Sequence, residues 1–210
     1  MRSTLRRAGL FACLSVLFSL SAQVLAEGMV SQTREFHFTK ISPPAPLSFD
    51  PFDTQGGTRT LSKVVLSIAG ISHLLPLSSG NWPEDVETGL YCKVNEDLSF
   101  PKSPCNYEFL SELSLAFPFG LTALASVPSN YGEAPILQPG EGVALDVIED
   151  LSGSVESTSP IALIFFSGPN PIPASLSGSG PLSVSSNLSS VWVGNPGWDG
   201  IITLTYHFND

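Results

Sequence analysis

The sequence predicts an all-β protein, a single β-sandwich or jelly-roll-like domain over residues 27–210 behind a short N-terminal leader. Three observations predict it. Short apolar runs alternate with polar residues at the period of a half-buried strand. Clusters of Gly, Pro and Asn separate these runs and supply turns. Beyond the leader, no stretch long enough for an ordinary helix keeps helical spacing without Pro or Gly. Of the 210 residues, 42% are hydrophobic, enough for one sizeable core, so one domain is expected. Gly and Pro, 18 each, are plentiful but fall short of a low-complexity composition.

Residues 1–26 carry a positive start at Arg2, Arg6 and Arg7, an apolar run from Leu10 to Leu20, and small residues at Val24 and Ala26. This is the three-part pattern of a secretory signal peptide cleaved after Ala26. The apolar run is too short to span a bilayer comfortably, and no later stretch is long enough. Cys13 lies inside the run rather than after it, which argues against a lipoprotein signal. With three of the nine basic residues removed, six remain against 19 acidic ones, a net charge of −13 for the mature chain. Such a balance excludes nucleic-acid binding, which needs a clustered positive face.

The elements follow in order. Residues 34–39 alternate, with Phe36 and Phe38 on one face. Residues 61–68 are rich in branched side chains and end at Gly70. Residues 89–94 lead into a polar loop, and 112–117 alternate again, although Phe109 to Phe119 is the nearest approach to a helix. Residues 143–148 follow a Pro139-Gly140 turn. Residues 161–166 form a nearly continuous apolar run, the pattern of a strand covered on both faces. Residues 182–184 and 190–193 are shorter strands, and 201–208 alternate almost to the end. Turns are expected at Gly56-Gly57, Pro169-Asn170, Gly178-Ser179-Gly180 and Asn195-Pro196-Gly197.

Two cysteines survive processing, Cys92 and Cys105, in an export pathway that permits disulfides. They flank a polar loop containing Glu96, Asp97, Pro101 and Pro104. A bridge is expected there, closing a loop of about 14 residues and stabilising by at most about 3 kcal/mol. Because the loop is acidic and contributes little core, loss of the bridge should loosen the loop more than unfold the domain.

The segment Phe49-Asp50-Pro51-Phe52-Asp53, followed by Gly57-Thr58, Leu61 and the strand Val64 to Ile68, resembles the choice-of-anchor E domain of bacterial exported proteins. The late Gly178-Ser179-Gly180 and the closing segment from Gly200 to Tyr206 are similar to the same family, so the likeness covers most of residues 30–208. It implies an exported β-rich domain of unknown biochemical role, with no catalytic residues to transfer. Family members usually carry a C-terminal sorting signal such as the PEP-CTERM type. The sequence shows no such motif before Asp210, so secretion or periplasmic residence is the expectation.

Candidate chemistry is sparse. His37, His73 and His207 read as structural residues. There is no GxSxG elbow and no HExxH motif, so no enzyme is expected; a hydrolase would need a histidine set against a serine or carboxylate in a cleft. Asp50 and Asp53 share a loop with Gly56 and Gly57 and are the candidate calcium ligands, the one cofactor entertained. They do not fit the EF-hand pattern, and Asp50 before Pro51 reads more simply as a turn acid capping local amides. Glu84, Asp85 and Glu87 form a second acidic cluster, and Glu149-Asp150 a third. Of Trp82, Trp192 and Trp198, the first and last are predicted in loops. Trp82 and Trp198, with Asn195 and Asp199, are the candidate glycan-binding residues, since indoles stack on pyranose faces while Asn and Asp bond hydroxyls. Two function classes result: a non-enzymatic module for surface or extracellular-matrix interactions, with polysaccharide or surface proteins as partners, and a carbohydrate-binding module. Trp82 and Trp198 on one exposed face would favour the second; burial would favour the first.

Overall fold

The computed structural model describes residues 27–44, 46–77, 82–83 and 85–210. The leader with Cys13, the Gly80-Asn81 pair and Glu84 of the second acidic cluster lie outside the described residues. Among those described, the elements are β1 (Glu27–Thr39), β2 (Leu47–Phe49), β3 (Thr60–Leu75), β4 (Leu90–Val94), β5 (Cys105–Ala116), β6 (Thr122–Glu133), β7 (Gly142–Leu145), β8 (Ile148–Ser157), α1 (Pro160–Phe166), β9 (Ile172–Ser179), β10 (Leu182–Ser186), β11 (Ser189–Val193) and β12 (Asn195–Asn209). The chain is all-β and sandwich-like, as its alternation predicts. No helix among the described residues is long and apolar enough to cross a membrane.

The strands pair antiparallel in three sheets. The first runs β1-β12-β3-β8, the second β10-β5-β9-β2 with β6 also on β5, and the third β11-β4-β7. The first two enclose the main core. Alternation dictates which side chains enter it: Phe36 and Phe38 from β1; Val64, Leu66 and Ile68 from β3; Ile202, Leu204, Tyr206 and Phe208 from β12. From the second sheet come Leu113, Leu115, Ile172 and Leu176. Each fully buried apolar side chain of this size stabilises by about 1.5–3 kcal/mol. A second cluster, built from Leu74, Leu90, Cys92, Cys105, Phe109, Ala134 and Val147, lies beneath the third sheet.

The two segments that carry the family-like motifs meet in the main core. Phe49 is fully buried, and Phe52 packs on Tyr206 and Phe208 at 5.7 and 5.4 Å between ring centroids. The Tyr206 hydroxyl donates to the Asp50 carbonyl at 2.7 Å, and the Phe52 amide donates to the Phe166 carbonyl at 2.7 Å. These residues are structural: they clamp the β2 loop to the closing strand.

Several expectations need correction, among them the turn at Gly178-Ser179-Gly180, since Gly178 and Ser179 lie in β9 paired with Leu113 and Glu112. Residues 161–166 are not a doubly covered strand but α1. Pro160 suits the first helical position, where its missing N–H would have no intrahelical partner. Ala162 and Phe166, one turn apart, face the core, while Ile161 and Ile164 are 72% and 74% exposed, which a strand covered on both faces would not allow. Phe165 and Phe166 close an aromatic cluster with Phe117 and Phe119. Residues 143–148 are not one strand either. The chain leaves the third sheet at Leu145 and enters the first at Ile148, and buried Val147 fills the second cluster between them. Asn195-Pro196-Gly197 is no turn; it opens β12, where a proline near the strand start costs little ladder bonding.

The Cys92–Cys105 disulfide is present, with Cα atoms 6.2 Å apart. Its setting differs from the expected one. Cys92 on β4 and Cys105 on β5 belong to different sheets, and both are buried, 0% and 2% exposed. The bridge therefore fastens the third sheet to the second through the core, rather than pinning a peripheral loop.

Candidate functional site

The structure separates the residues expected to form a glycan site. Trp198 is 1% exposed on β12, in phase with Ile202 and Leu204 and pointing inward. Its ring stacks on Phe38 at 5.0 Å, and its indole N–H donates to the Ser111 hydroxyl at 3.1 Å. The expectation of an exposed loop tryptophan is thus overturned: strand pairing to β1 and β3 draws it into the core. Trp82 is half-buried, and its indole N–H donates to the Val86 carbonyl at 3.2 Å. Asn195 opens β12 opposite Leu75, and Asp199 lies on the outer face of the first sheet. Asn195, Asp199, Trp82 and Trp198 do not assemble into one rim.

Asp50 and Asp53 are each engaged locally. The Asp50 carboxylate is exposed and lies 3.7 Å from the Arg34 guanidinium. Its carbonyl takes the Tyr206 hydroxyl and the Gln32 side-chain amide. An Asp53 carboxylate oxygen accepts the Gln55 amide at 2.8 Å, the capping role of a turn acid. Among the described residues no group of three or more His, Cys, Asp or Glu side chains is placed to hold a metal ion. Asp53 thus caps the turn, whereas the Asp50 carboxylate, expected to cap local amides, pairs instead with Arg34 of β1.

Asp199 holds a different arrangement. His37 on β1 sits directly opposite it in the β1–β12 ladder, and His73 on β3 is its diagonal neighbour across the β12–β3 ladder. His37 Nδ1 hydrogen-bonds one carboxylate oxygen, and His73 Nδ1 lies 3.5 Å from the other. The hollow beside it is lined by Glu35, His37, Asp199 and Ile201 and lies open on the sheet face. His73 Nε2 is buried and has no hydrogen-bond partner among the described residues.

The third sheet offers a more coherent site. In β4 the order Leu90-Tyr91-Cys92-Lys93-Val94 alternates, with Leu90, Cys92 and Val94 buried and Tyr91 and Lys93 turned outward. β11 sets Trp192 opposite Tyr91 and Ser190 opposite Lys93. The Trp192 and Tyr91 rings pack at 5.3 Å with planes 60° apart. Tyr91 lies across Gly142 of β7, where a Cβ would fall 2.0 Å from the tyrosine oxygen, so a larger residue there would push the ring aside. Beyond Trp192 opens a groove of about 430 Å³, edged by Lys93, Asn95, Glu96, Asp97 and Ser190. The Lys93 ammonium donates to Glu96 at 2.7 Å. That hydrogen bond, with the charge behind it, holds the Glu96 carboxyl below its ordinary range and Lys93 above its own. Alternation in 90–94 marks Tyr91 and Lys93 as outward. That Trp192, far downstream, becomes their neighbour depends on strand pairing, which the sequence does not display.

No protein-family model matches the chain, and no curated protein matches it. Among solved structures, the chain is similar to one described as the structure of infectious bursal disease virus Gx strain. The identity is 9% and the TM-score 0.21, over 87% of this chain and 37% of that one.

Proposed function

We propose that this protein is an exported, non-enzymatic β-sandwich of the choice-of-anchor E type, secreted or periplasmic, that works by binding at the cell surface or in the extracellular matrix. The observation that carries the reading is the Cys92–Cys105 disulfide. It is built into a buried cluster and joins two sheets, so the fold draws on an oxidised pair that export compartments maintain and the cytosol does not. The motif residues Phe49, Asp50 and Phe52 support it further, because they serve the scaffold and leave function to the outward faces. The inward turn of Trp198 favours this reading over a module built on Trp82 and Trp198. Expression with residues 1–26 intact, followed by fractionation and mass spectrometry, is the test of export. The expected product starts at Glu27, lies outside the cytoplasm and carries the bridge. The companion test is retention of the purified protein on cells and on matrix stripped from them. Cytoplasmic protein with free thiols, or retention no greater than that of an unrelated β-sandwich, rejects the proposal.

A further inference from the structure

We infer that the groove beside Trp192, on the outer face of the third sheet, is a binding site for a neutral polysaccharide, with Trp192 as the stacking platform. The inference rests on the surface-binding reading above and supplies its site and ligand class. Four features carry it. Trp192 and Tyr91 are cross-strand partners on a sheet face, and Tyr91 is seated on Gly142, so the indole is braced before anything binds. The C–H faces of a pyranose pack on such a ring, as apolar surfaces pack on aromatics elsewhere. Around the ring stand Lys93, Asn95, Glu96, Asp97 and Ser190, a mixture of donors and acceptors suited to hydroxyls. The volume, about 430 Å³, falls in the range of small-ligand sites, and the groove is open rather than enclosed, which suits a segment of a longer chain.

Charge selects the class of polymer. Among the described residues the one cation that lines the groove, Lys93, is already held by Glu96, and Asp97 leaves the site with a net negative charge. The whole chain carries −10. A uronic-acid or sulfated polymer would meet repulsion without a free cation to answer it, whereas a neutral hexose polymer would not. A proline-rich peptide also favours aromatic grooves. It ranks below the glycan because hydroxyl-matching polar groups, rather than a second parallel aromatic ridge, edge the indole. The bridge at Cys92, between Tyr91 and Lys93 in sequence, fixes the strand that carries both and keeps the platform rigid.

The experiment is affinity electrophoresis and calorimetry of the intact, disulfide-bonded protein against soluble β-1,4-glucan, β-1,3-glucan and mannan, with alginate as the anionic probe and a polyproline peptide as the protein-like probe. At least one neutral polymer is expected to bind, and alginate and polyproline are not. Trp192→Ala is expected to weaken binding on the order of tenfold or more, the usual cost of truncating a central tryptophan. Trp192→Phe should recover most of it, and Trp82→Phe should leave it unchanged. Thermal melts of each variant separate a lost platform from a lost fold, and Lys93→Gln, at a half-buried position on the groove edge, is expected to weaken binding without unfolding the protein. Binding of alginate or polyproline in preference to the neutral polymers overturns the inference. So does binding that Trp192→Ala leaves intact in a folded protein. If the protein is retained on matrix but binds none of the neutral polymers, or if protease treatment of the matrix abolishes retention, the site inference fails while the surface-binding reading stands. If the protein is not retained on matrix at all, the surface-binding reading itself fails.

Discussion

Replacing Trp198 by phenylalanine tests the core assignment that separates this fold from its sequence-based expectation. Trp198 is 1% exposed and Ser111 is 3% exposed, and the indole N–H is bonded to the serine hydroxyl. Phenylalanine keeps the stack on Phe38 but removes the donor and leaves the Ser111 oxygen buried without its partner. An unsatisfied buried hydroxyl costs about 1–3 kcal/mol. The lost second ring adds a cavity beside Gly178, whose Cα carries nothing because a Cβ would sit 2.7 Å from the indole. Together the change should destabilise by roughly 3 kcal/mol. For a chain of this size that lowers Tm by about 6–12 °C. Ser111→Ala in the wild-type background should also destabilise, because it strands the indole N–H. In the Trp198→Phe background it should restore stability by about 1 kcal/mol, since both polar partners are then gone. Urea denaturation of the four proteins gives the cycle directly. Effects that add within about 0.5 kcal/mol would refute the pairing. A Trp198→Phe variant as stable as the parent would refute the burial. Gly178→Ala supplies a further check: it should destabilise by about 1–3 kcal/mol with the indole present and by less once phenylalanine has made room.

The remaining expectations are shorter. The double replacement Cys92→Ala/Cys105→Ala should lower the unfolding free energy by about 3 kcal/mol in denaturant titrations; because both sulfurs lie in the second cluster, hydrogen exchange should quicken at Leu90 and Phe109 as well as in the 95–104 loop. Carbon-detected NMR should show Glu96 titrating below the ordinary glutamate range and returning to it in Lys93→Gln, since the Lys93 hydrogen bond favours the ionised form; the small stability this pair gives is present above the ordinary glutamate value and lost as pH falls through the lowered one. Burial, and then the nearby Asp50 carboxylate, raise Tyr206 well above its ordinary value of 10.0. Its contribution is therefore full below about pH 10 and lost as pH rises toward the folded-state value, so Tyr206→Phe should flatten the alkaline limb of a stability profile measured by denaturant titration.

Much of the architecture was legible because a half-buried antiparallel strand writes its burial pattern into consecutive residues. The alternation at 34–39, 112–117 and 201–208 marks the core sides of β1, β5 and β12. Legibility fails where that rule has no purchase. β6 and β8 are interrupted by polar and small residues and bury few side chains, so neither shows a clear apolar phase. Residues 161–166 are apolar throughout, and such a run does not announce its period; Ser159-Pro160 ahead of it is the helix-start signal that decides the matter. The disulfide was legible as a pair from cysteine count and the expected export. Its role as a tie between sheets was not, because the partners of β4 are β7 and β11, whose pairing with it is long-range.

The exchange of roles between Trp192 and Trp198 follows from phase. In the C-terminal half of β12 the buried positions are 202, 204, 206 and 208, and counting back by twos reaches 200 and 198. Had the strand been extended through Asn195-Pro196-Gly197, its own alternation would have placed Trp198 in the core opposite Phe38, and the glycine partners Gly70 and Gly200 would have marked the point where β3 and β12 approach without side chains between them. The Pro-Gly pair hid this by imitating a turn. In β11 the inward residue is Val191, which packs on the second cluster, so the same two-residue period turns Trp192 outward beside Tyr91. A tryptophan flanked by valines reads as core by composition, yet the sheet it belongs to has a single buried face, and that face is filled by Val191, Leu90 and Cys92. Trp192, half-buried, is left on the other face beside Tyr91, where the proposed binding groove opens.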